Sequence, residues 1–182
     1  MAVRRPELVV EVVVTVPEPF GAELASRIGA RTTLGVLTEL LASARKHVVI
    51  AAPFIQGAEG LQAGPLGMAL MAALKRGVNV DLITTGTSLA GLALGSLREM
   101  AGTRFRTFQP RGNVEDPRML GSHAKFCLCD SEHAYIGSAN ITQKGISGHL
   151  EIGVLLHGKP ARQIWDLVRA LTESDYLVEC RP

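Results

Sequence analysis

The chain has 182 residues, of which 47% are hydrophobic, 20% charged and 4% aromatic, and its net charge at pH 7 is +2. This length fits one domain of about 150–200 residues, and the composition excludes an intrinsically disordered chain, which would need few apolar residues and a high net charge. Three cysteines are too few for a secreted disulfide scaffold. The near-neutral charge points to no particular class of partner.

The N-terminal segment resembles a signal peptide, because Arg4 and Arg5 precede a valine-rich run. Glu7 and Glu11 interrupt that run, and its valines favour a strand over a helix. No apolar run reaches the roughly 18 residues of a membrane span. We therefore expect a first strand, no membrane association and a cytoplasmic location.

Strands and helices alternate through the first 108 residues. The pattern predicts strands at 8–16, 47–52, 78–84 and 103–107, and helices at 23–28, 34–45, 66–75 and 89–100. A glycine-rich loop at 57–67 follows the second strand. Strands joined by helices imply right-handed crossovers and parallel pairing.

After Phe108 the pattern changes to a polar loop at 109–120 and closely spaced strands at 122–130, 134–136 and 149–156. A final helix at 159–172 places four apolar residues on one side: Ile164, Trp165, Val168 and Leu171. The predicted fold class is α/β, with a mixed, largely parallel β-sheet flanked by helices on both faces. We expect residues 1–182 to form a single domain.

The strongest local signal is the segment 122–140, SHAKFCLCDSEHAYIGSAN. On a strand, His123 and Lys125 would share one face, whereas Asp130 would lie on the other. A titratable nitrogen beside a fixed cation suits an anionic group, most obviously a phosphate. Further along, Gly137 permits close backbone approach, while Ser138 and Asn140 offer hydrogen-bond donors. This set lacks the paired carboxylates of a Mg²⁺ site and favours oxyanion binding.

These residues follow the pattern HxKx4Dx6GSxN, which begins at His123 and ends at Asn140. The pattern resembles the signature of the phospholipase D superfamily, and every spacing matches. The resemblance implies that His123 is a nucleophile that forms a phosphohistidine, because neutral imidazole is nucleophilic near pH 7. It also implies that Lys125 and Asn140 hold the non-bridging phosphate oxygens and that Ser138 adds a hydrogen bond.

Two further acidic residues take different roles under this resemblance. Glu151, on the strand after the signature, occupies the place of the carboxylate that orients the histidine in single-motif family nucleases. A carboxylate there would fix the tautomer and stabilise the imidazolium. Asp130 and Gly137 are read as structural members of the motif, because strand alternation directs Asp130 away from His123.

A zinc site is the competing interpretation of the same segment, using Cys127 and Cys129 together with His123 and His133. The C-x-C spacing lacks the usual zinc-knuckle form, and a metal would occupy the nucleophile. We therefore predict no metal and no cofactor.

The resemblance also bears on assembly, because the family's chemistry uses two histidines, one to attack phosphorus and one to protonate the leaving oxygen. This chain carries one signature and no internal repeat. We expect a twofold homodimer that brings two copies of His123 to one site. The alternative is a monomer whose partner motif belongs to another protein.

Small single-motif members of the superfamily are mostly metal-independent nucleases, which implies DNA or RNA as substrate. The stretch RFRTFQPRGN interleaves Arg104, Arg106 and Arg111 with Phe105 and Phe108, and could contact single strands. It could equally be a strand with buried phenylalanines and solvated arginines.

Three functions remain open at this point: a nuclease or phosphodiesterase, a phospholipid hydrolase or transphosphatidylase, and a nucleic-acid-binding subunit with little turnover. The chain's size also resembles the phospholipase-D-like component of bacterial DISARM anti-phage systems. That association would imply defence-system partner proteins.

Overall fold

The computed structural model describes residues 9–56, 61–112 and 121–180. Parts of the predicted loops, at 57–60 and 113–120, lie outside these ranges. The strands are β1 (Val10–Thr15), β2 (Arg31–Thr32), β3 (His47–Ala51), β4 (Asn79–Ile83), β5 (Phe105–Pro110), β6 (Phe126–Cys129), β7 (His133–Gly137), β8 (Glu151–His157) and β9 (Leu177–Glu179). The helices are α1 (Gly21–Arg27), α2 (Thr33–Ser43), α3 (Gly64–Lys75), α4 (Gly86–Ala90), α5 (Gly95–Ala101) and α6 (Lys159–Glu173).

These strands form one sheet in the order β2-β1-β8-β7-β6-β3-β4-β5-β9. Parallel pairing joins β1 to β2 and runs through β3, β4 and β5, whereas the other neighbours in this sheet pair antiparallel. The α/β class with a mixed sheet is confirmed, but less of the sheet is parallel than the sequence predicts. Only Asp130, Ser131 and Glu132 connect β6 to β7. A parallel crossover needs about a dozen residues or more, so β6 and β7 form a hairpin.

Helices cover both faces of the sheet, as predicted. On one face, α2, α3 and α5 bury a leucine-rich layer against β3, β4 and β6; its helical members include Leu37, Leu41, Leu70, Leu74 and Leu97. On the other face, α6 packs against β3 and β6–β7 with the four apolar residues predicted for it, Ile164, Trp165, Val168 and Leu171, together with Ala161. The central strands are buried on both faces and therefore appear in the sequence as continuous apolar runs.

Several elements differ from the sequence prediction. The helix expected at 89–100 is two helices, α4 and α5, with a break at 91–94 where Gly91 follows the end of α4; glycine is a poor helix former. Strands β2 and β9 were not predicted, because two or three residues are too few to show a periodic pattern.

The strand predicted at 122–130 is shorter in the structure and begins at Phe126. Its pairing with β3 ends at the Ala51–Phe126 pair, and Pro53 follows soon after on the β3 side. Proline has no N–H to donate to a sheet ladder, which explains why the residues before Phe126 are not extended into the strand. His123 and Lys125 therefore lie just beyond the sheet edge, at the carboxyl end of β3.

Candidate active site

The signature residues converge at one end of the sheet. Lys125 immediately precedes β6, Ser138 immediately follows β7, and Glu151 is the first residue of β8. Because β6, β7 and β8 alternate in direction, these three positions meet at the same edge. The end of β1 joins them, since Thr15 pairs with Glu151.

Lys125 is held against His123 by direct contact. The Lys125 ammonium donates to the backbone oxygen of His123 at 3.0 Å and lies 3.3 Å from each ring nitrogen of the same histidine. The Lys125 side chain is 7% exposed, whereas His123 is exposed to solvent. Burial lowers the pKa of Lys125, and the nearby Glu151 carboxylate partly opposes this effect. A cation is thus fixed beside an accessible imidazole.

Ser138 and Glu151 form a second unit of the site. The Ser138 hydroxyl donates to the Glu151 carboxylate and accepts the backbone N–H of Ile152 at 3.1 Å. The Ser138 backbone N–H donates in turn to the Ile152 oxygen at 3.1 Å. Between His123 and Glu151, both within the described ranges, no hydrogen bond forms, so the predicted direct contact of Glu151 with the His123 ring is absent from this chain.

Asn140 lies two residues after Ser138, in the segment that follows β7. Its Oδ1 atom is buried and meets no hydrogen-bond partner among the described residues. An unpaired buried amide atom costs about 1–3 kcal/mol, so the amide is available to a bound group. Turning the amide by 180° would present its NH₂ group at the same place, where a phosphate oxygen could accept.

Asp130 lies at the opposite end of β6 from Lys125. Its carboxylate accepts three backbone N–H groups, from Arg45 and Lys46 at 2.8 Å and from His47 at 2.9 Å. Burial raises the pKa of Asp130, but these hydrogen bonds outweigh burial, so the net pKa is lowered. The carboxylate fastens the start of β3 to the end of β6 and does not reach the phosphate-binding end.

The three arginines proposed as a nucleic-acid contact do not form one surface. Arg104 is exposed at the amino end of β5, whereas Arg111 follows its carboxyl end and binds Asp175. Arg106 donates two hydrogen bonds of 2.8 Å to buried Asp81 and is therefore engaged in the fold. This pairing corrects the prediction for Arg106.

The phenylalanines of that stretch cannot stack on bases either. Phe105 and Phe108 are each 4% exposed and pack into the two different cores on opposite faces of the sheet. The alternative interpretation of the stretch as an ordinary strand fits the buried phenylalanines.

Sequence reasoning missed Tyr135, a buried tyrosine directly below the site, with a side chain 1% exposed. The signal that could have found it is a pair of glycines, Gly137 and Gly153, that face each other across β7 and β8. A Cβ on Gly137 would lie 2.2 Å from the Tyr135 hydroxyl oxygen, and one on Gly153 would lie 2.6 Å from its ring. Glycine is required at both positions because the ring fills the space.

A family model described as "Cardiolipin synthase, PLD-like domain" matches residues 37–173, which is most of the chain and includes the whole signature. The chain belongs to the phospholipase D-like family. The matched range contains residues 123–151, which hold the candidate site at the carboxyl end of β3.

One curated relative of this phospholipase D-like chain is the DISARM protein DrmC of Bacillus paralicheniformis, 24% identical over 169 residues. The alignment covers 92% of this chain, and the chain spans 65% of that relative's length.

Three solved structures share the fold. Nuc, a phospholipase D family member from Salmonella typhimurium, is 18% identical with a TM-score of 0.63, covering 97% of this chain and 100% of Nuc. NucT from Helicobacter pylori is 16% identical with a TM-score of 0.68, covering 94% and 99%. Phosphatidylserine synthase from Haemophilus influenzae is 14% identical with a TM-score of 0.66, covering 98% of this chain and 41% of the synthase.

No helix in the described ranges combines the length and the apolar character that crossing a bilayer requires.

Proposed function

We propose that this phospholipase D-like chain is a single-domain, metal-independent phosphodiesterase that cleaves DNA or RNA through a phosphohistidine intermediate. The observation that carries the proposal is the accessible His123 ring with the buried Lys125 ammonium fixed 3.3 Å from both its nitrogens. A nucleophile beside a cation is suited to a phosphodiester, which is negatively charged at neutral pH.

The first step of the proposed reaction is attack by a ring nitrogen of His123 on phosphorus. A P–N bond forms, the P–O bond to the leaving group breaks, and the leaving oxygen takes a proton from a second imidazole. Water then attacks the phosphohistidine: a P–O bond to the water oxygen forms, the P–N bond breaks to release His123, and the same second imidazole, now neutral, accepts the water's proton. Lys125 and Asn140 stabilise the charge on the non-bridging oxygens, and the Ser138–Glu151 unit fixes the adjoining backbone.

The second imidazole requires a second copy of the chain under this proposal. A row of apolar side chains on β1, β8 and β7 lies on the same face of the sheet as α6, but α6 does not cover it. We call this row the uncovered face: Val10, Val12, Ile136 and Ile152, with exposures of 44%, 51%, 37% and 60%. Ile152 follows Glu151 in β8, so the uncovered face reaches the same end of the sheet as the site, and we propose that the second copy docks here.

Val12→Lys tests this assembly by placing a charge in the middle of the uncovered face. We expect a monomer by sedimentation and a loss of cleavage of at least 100-fold, because one imidazole would be missing. Met68→Lys, at a 75% exposed residue of α3, is the matched control and should stay dimeric and active. An active Val12→Lys monomer would contradict the shared site.

Substrate class is tested with labelled single- and double-stranded DNA, RNA and phosphatidylcholine vesicles, each with and without EDTA. We expect cleavage of nucleic acid that survives EDTA, because the described residues include no group of three or more metal-ligating side chains. Activity that vanishes in EDTA and returns with Mg²⁺ would refute the phosphohistidine mechanism. The matching family description and the synthase neighbour keep phospholipid as the second candidate, and hydrolysis confined to vesicles would favour it.

A subunit-exchange titration separates a shared site from independent subunits. His123→Ala chains mixed with wild type should form dimers with one imidazole, which retain a nucleophile but lack the general acid. Natural-substrate activity per wild-type chain should then fall in proportion to the wild-type fraction, since losing general-acid catalysis costs about 10²–10⁴-fold. A p-nitrophenyl ester, whose leaving group hardly needs a proton, should be affected far less.

The similarity to DrmC supports a place in anti-phage defence, with partner proteins of such a system. The test is a phage-challenge assay in cells that carry the remaining genes of the system, comparing wild type with Lys125→Ala. Equal protection by both would favour a nucleic-acid-binding subunit with little turnover.

A further inference from the structure

We infer that Phe54 is a substrate-contact residue whose ring stacks on an unpaired nucleobase beside the phosphate that His123 and Lys125 receive. The inference rests on the proposed function and deepens it, because it assigns a contact to the base as well as to the phosphate. Phe54 lies outside the signature segment, shortly after the end of β3.

The first support is the position of Phe54 relative to His123. Strands β3 and β6 pair antiparallel, and their last pair at the site end joins Ala51 to Phe126. Phe54 comes three residues after Ala51, and His123 comes three residues before Phe126. Three residues of chain span at most about 11 Å, and both segments leave the sheet at the same edge. Phe54 therefore lies at the edge that carries the proposed nucleophile.

The second support is the pairing of the next residue along the chain. Ile55 forms a parallel bridge with Ile141, and the Gln56 N–H donates to the Ile141 oxygen at 2.9 Å. In a parallel pairing, the residues that precede the bridge also lie side by side, which sets Phe54 beside Asn140. Phe54 is therefore near both segments that supply the proposed phosphate contacts.

The third support is that the backbone around Phe54 is fixed while its ring is exposed. The neighbours Pro53 and Ile55 are buried. The Thr85 hydroxyl donates to the Pro53 oxygen at 2.9 Å, and the Ser88 hydroxyl accepts the Ile55 N–H at 2.9 Å. The Phe54 side chain is 45% exposed and packs into neither of the two cores formed by the described residues. An aromatic side chain has only two rotatable bonds, so binding costs it little conformational entropy.

The surroundings of Phe54 favour a nucleobase over a lipid chain. A single exposed apolar residue is common and carries no function by itself, but here the ring lies at a cationic, phosphate-binding edge. Cations for the phosphates and rings for the bases are the combination that binds single-stranded nucleic acid. A lipid chain would need a contiguous apolar surface, whereas Pro53 and Ile55 are buried and Gln56 is polar. Because paired bases are stacked on one another, the contact selects an unpaired strand.

The test compares four variants, each made in a His123→Ala background that cannot form the phosphohistidine and so leaves the probe intact. Phe54→Ala removes the ring, Phe54→Leu keeps an apolar side chain without a ring, and Phe54→Trp keeps an aromatic ring. Phe20→Ala is the matched control: Phe20 is 63% exposed and precedes α1, after β1. Strand β1 is four strand spacings, about 19 Å, from β3.

Fluorescence anisotropy at one salt concentration measures the Kd for a labelled oligothymidylate, an abasic strand of the same length and a duplex. We expect Phe54→Ala and Phe54→Leu to weaken oligothymidylate binding about fivefold or more, which is the lower end of the cost of losing one stacked ring. Phe54→Trp and Phe20→Ala should stay within about twofold. Binding of the abasic strand and of the duplex should change less than about twofold in every variant, because the charge of the site is unchanged.

An equal loss on the abasic strand would show that Phe54 supports the phosphate site and would overturn the stacking contact. Unchanged oligothymidylate binding in Phe54→Ala would overturn it as well, as would a Phe54-dependent binding of phosphatidylcholine vesicles without binding of the strand. If the wild type cleaves the strand and only the effect of Phe54 is missing, the inference fails alone. If the wild type neither binds nor cleaves nucleic acid, the proposed function fails and the inference fails with it.

Discussion

Replacing Asp130 should weaken the fold without affecting phosphate chemistry. Its carboxylate accepts three backbone N–H groups at the start of β3, two of them exposed and one, from His47, partly buried. Water can replace the exposed pair at little cost, whereas the buried charged hydrogen bond is worth about 1.5–3 kcal/mol. Asp130 also has a φ of +52°, which costs an alanine about 1–2 kcal/mol. Asp130→Ala should therefore destabilise the protein by about 2.5–5 kcal/mol.

Asp130→Asn should be milder, at about 1–2 kcal/mol, because asparagine tolerates a positive φ and keeps one acceptor oxygen. Urea unfolding followed by circular dichroism measures both losses. Glu132→Gln, in the same turn, is the control for removing one negative charge. Five residues of nearly extended chain, about 17 Å, separate Asp130 from Lys125, so kcat should stay within twofold for every folded variant. A stable but inactive Asp130→Asn protein would refute this reasoning.

Three other predictions concern Lys125, Asn140 and Asp81. Lys125→Ala and Asn140→Ala should each lower kcat by about 10²–10³ while circular dichroism and unfolding stay native, since each removes one oxyanion donor. The lowered pKa of Lys125 means that it loses its proton below the ordinary value of 10.5, so the alkaline limb of a kcat/KM profile should begin below that pH. Burial raises the pKa of Asp81, but the hydrogen bonds and charges of His47 and Arg106 outweigh burial, so the pKa of Asp81 in the folded protein lies below the ordinary value of 3.8. The stability that the Asp81 carboxylate contributes is therefore present above pH 3.8 and is lost as the pH falls through the lower pKa of the folded state. Asp81→Asn should lose about 1–3 kcal/mol at pH 7 in urea unfolding and flatten the acid dependence; an unchanged acid limb would contradict this.

The sequence predicted the fold class and the active-site end of the sheet because its signals there are local. The spacing from His123 to Asn140 and the apolar run of β3 both lie within one or two elements. The partner of Glu151 could not be predicted, because it depends on how β7 and β8 are registered, which places Ser138 against Ile152. The pairing of Arg106 with Asp81 was missed for the same reason: the two residues meet only through the parallel register of β4 and β5.

The pairing of β1 with β8 has a consequence for how the molecule acquires its site. Strands β6, β7 and β8 follow one another along the chain and pair antiparallel, so their contacts are local in sequence. They can therefore form early and bring Lys125 and Ser138 together. Glu151, however, is paired with Thr15 from the far end of the sequence, and that contact requires a long loop to close. During refolding, the edge of β8 beside Glu151 is therefore completed late, and recovery of catalysis should lag behind recovery of the helical signal.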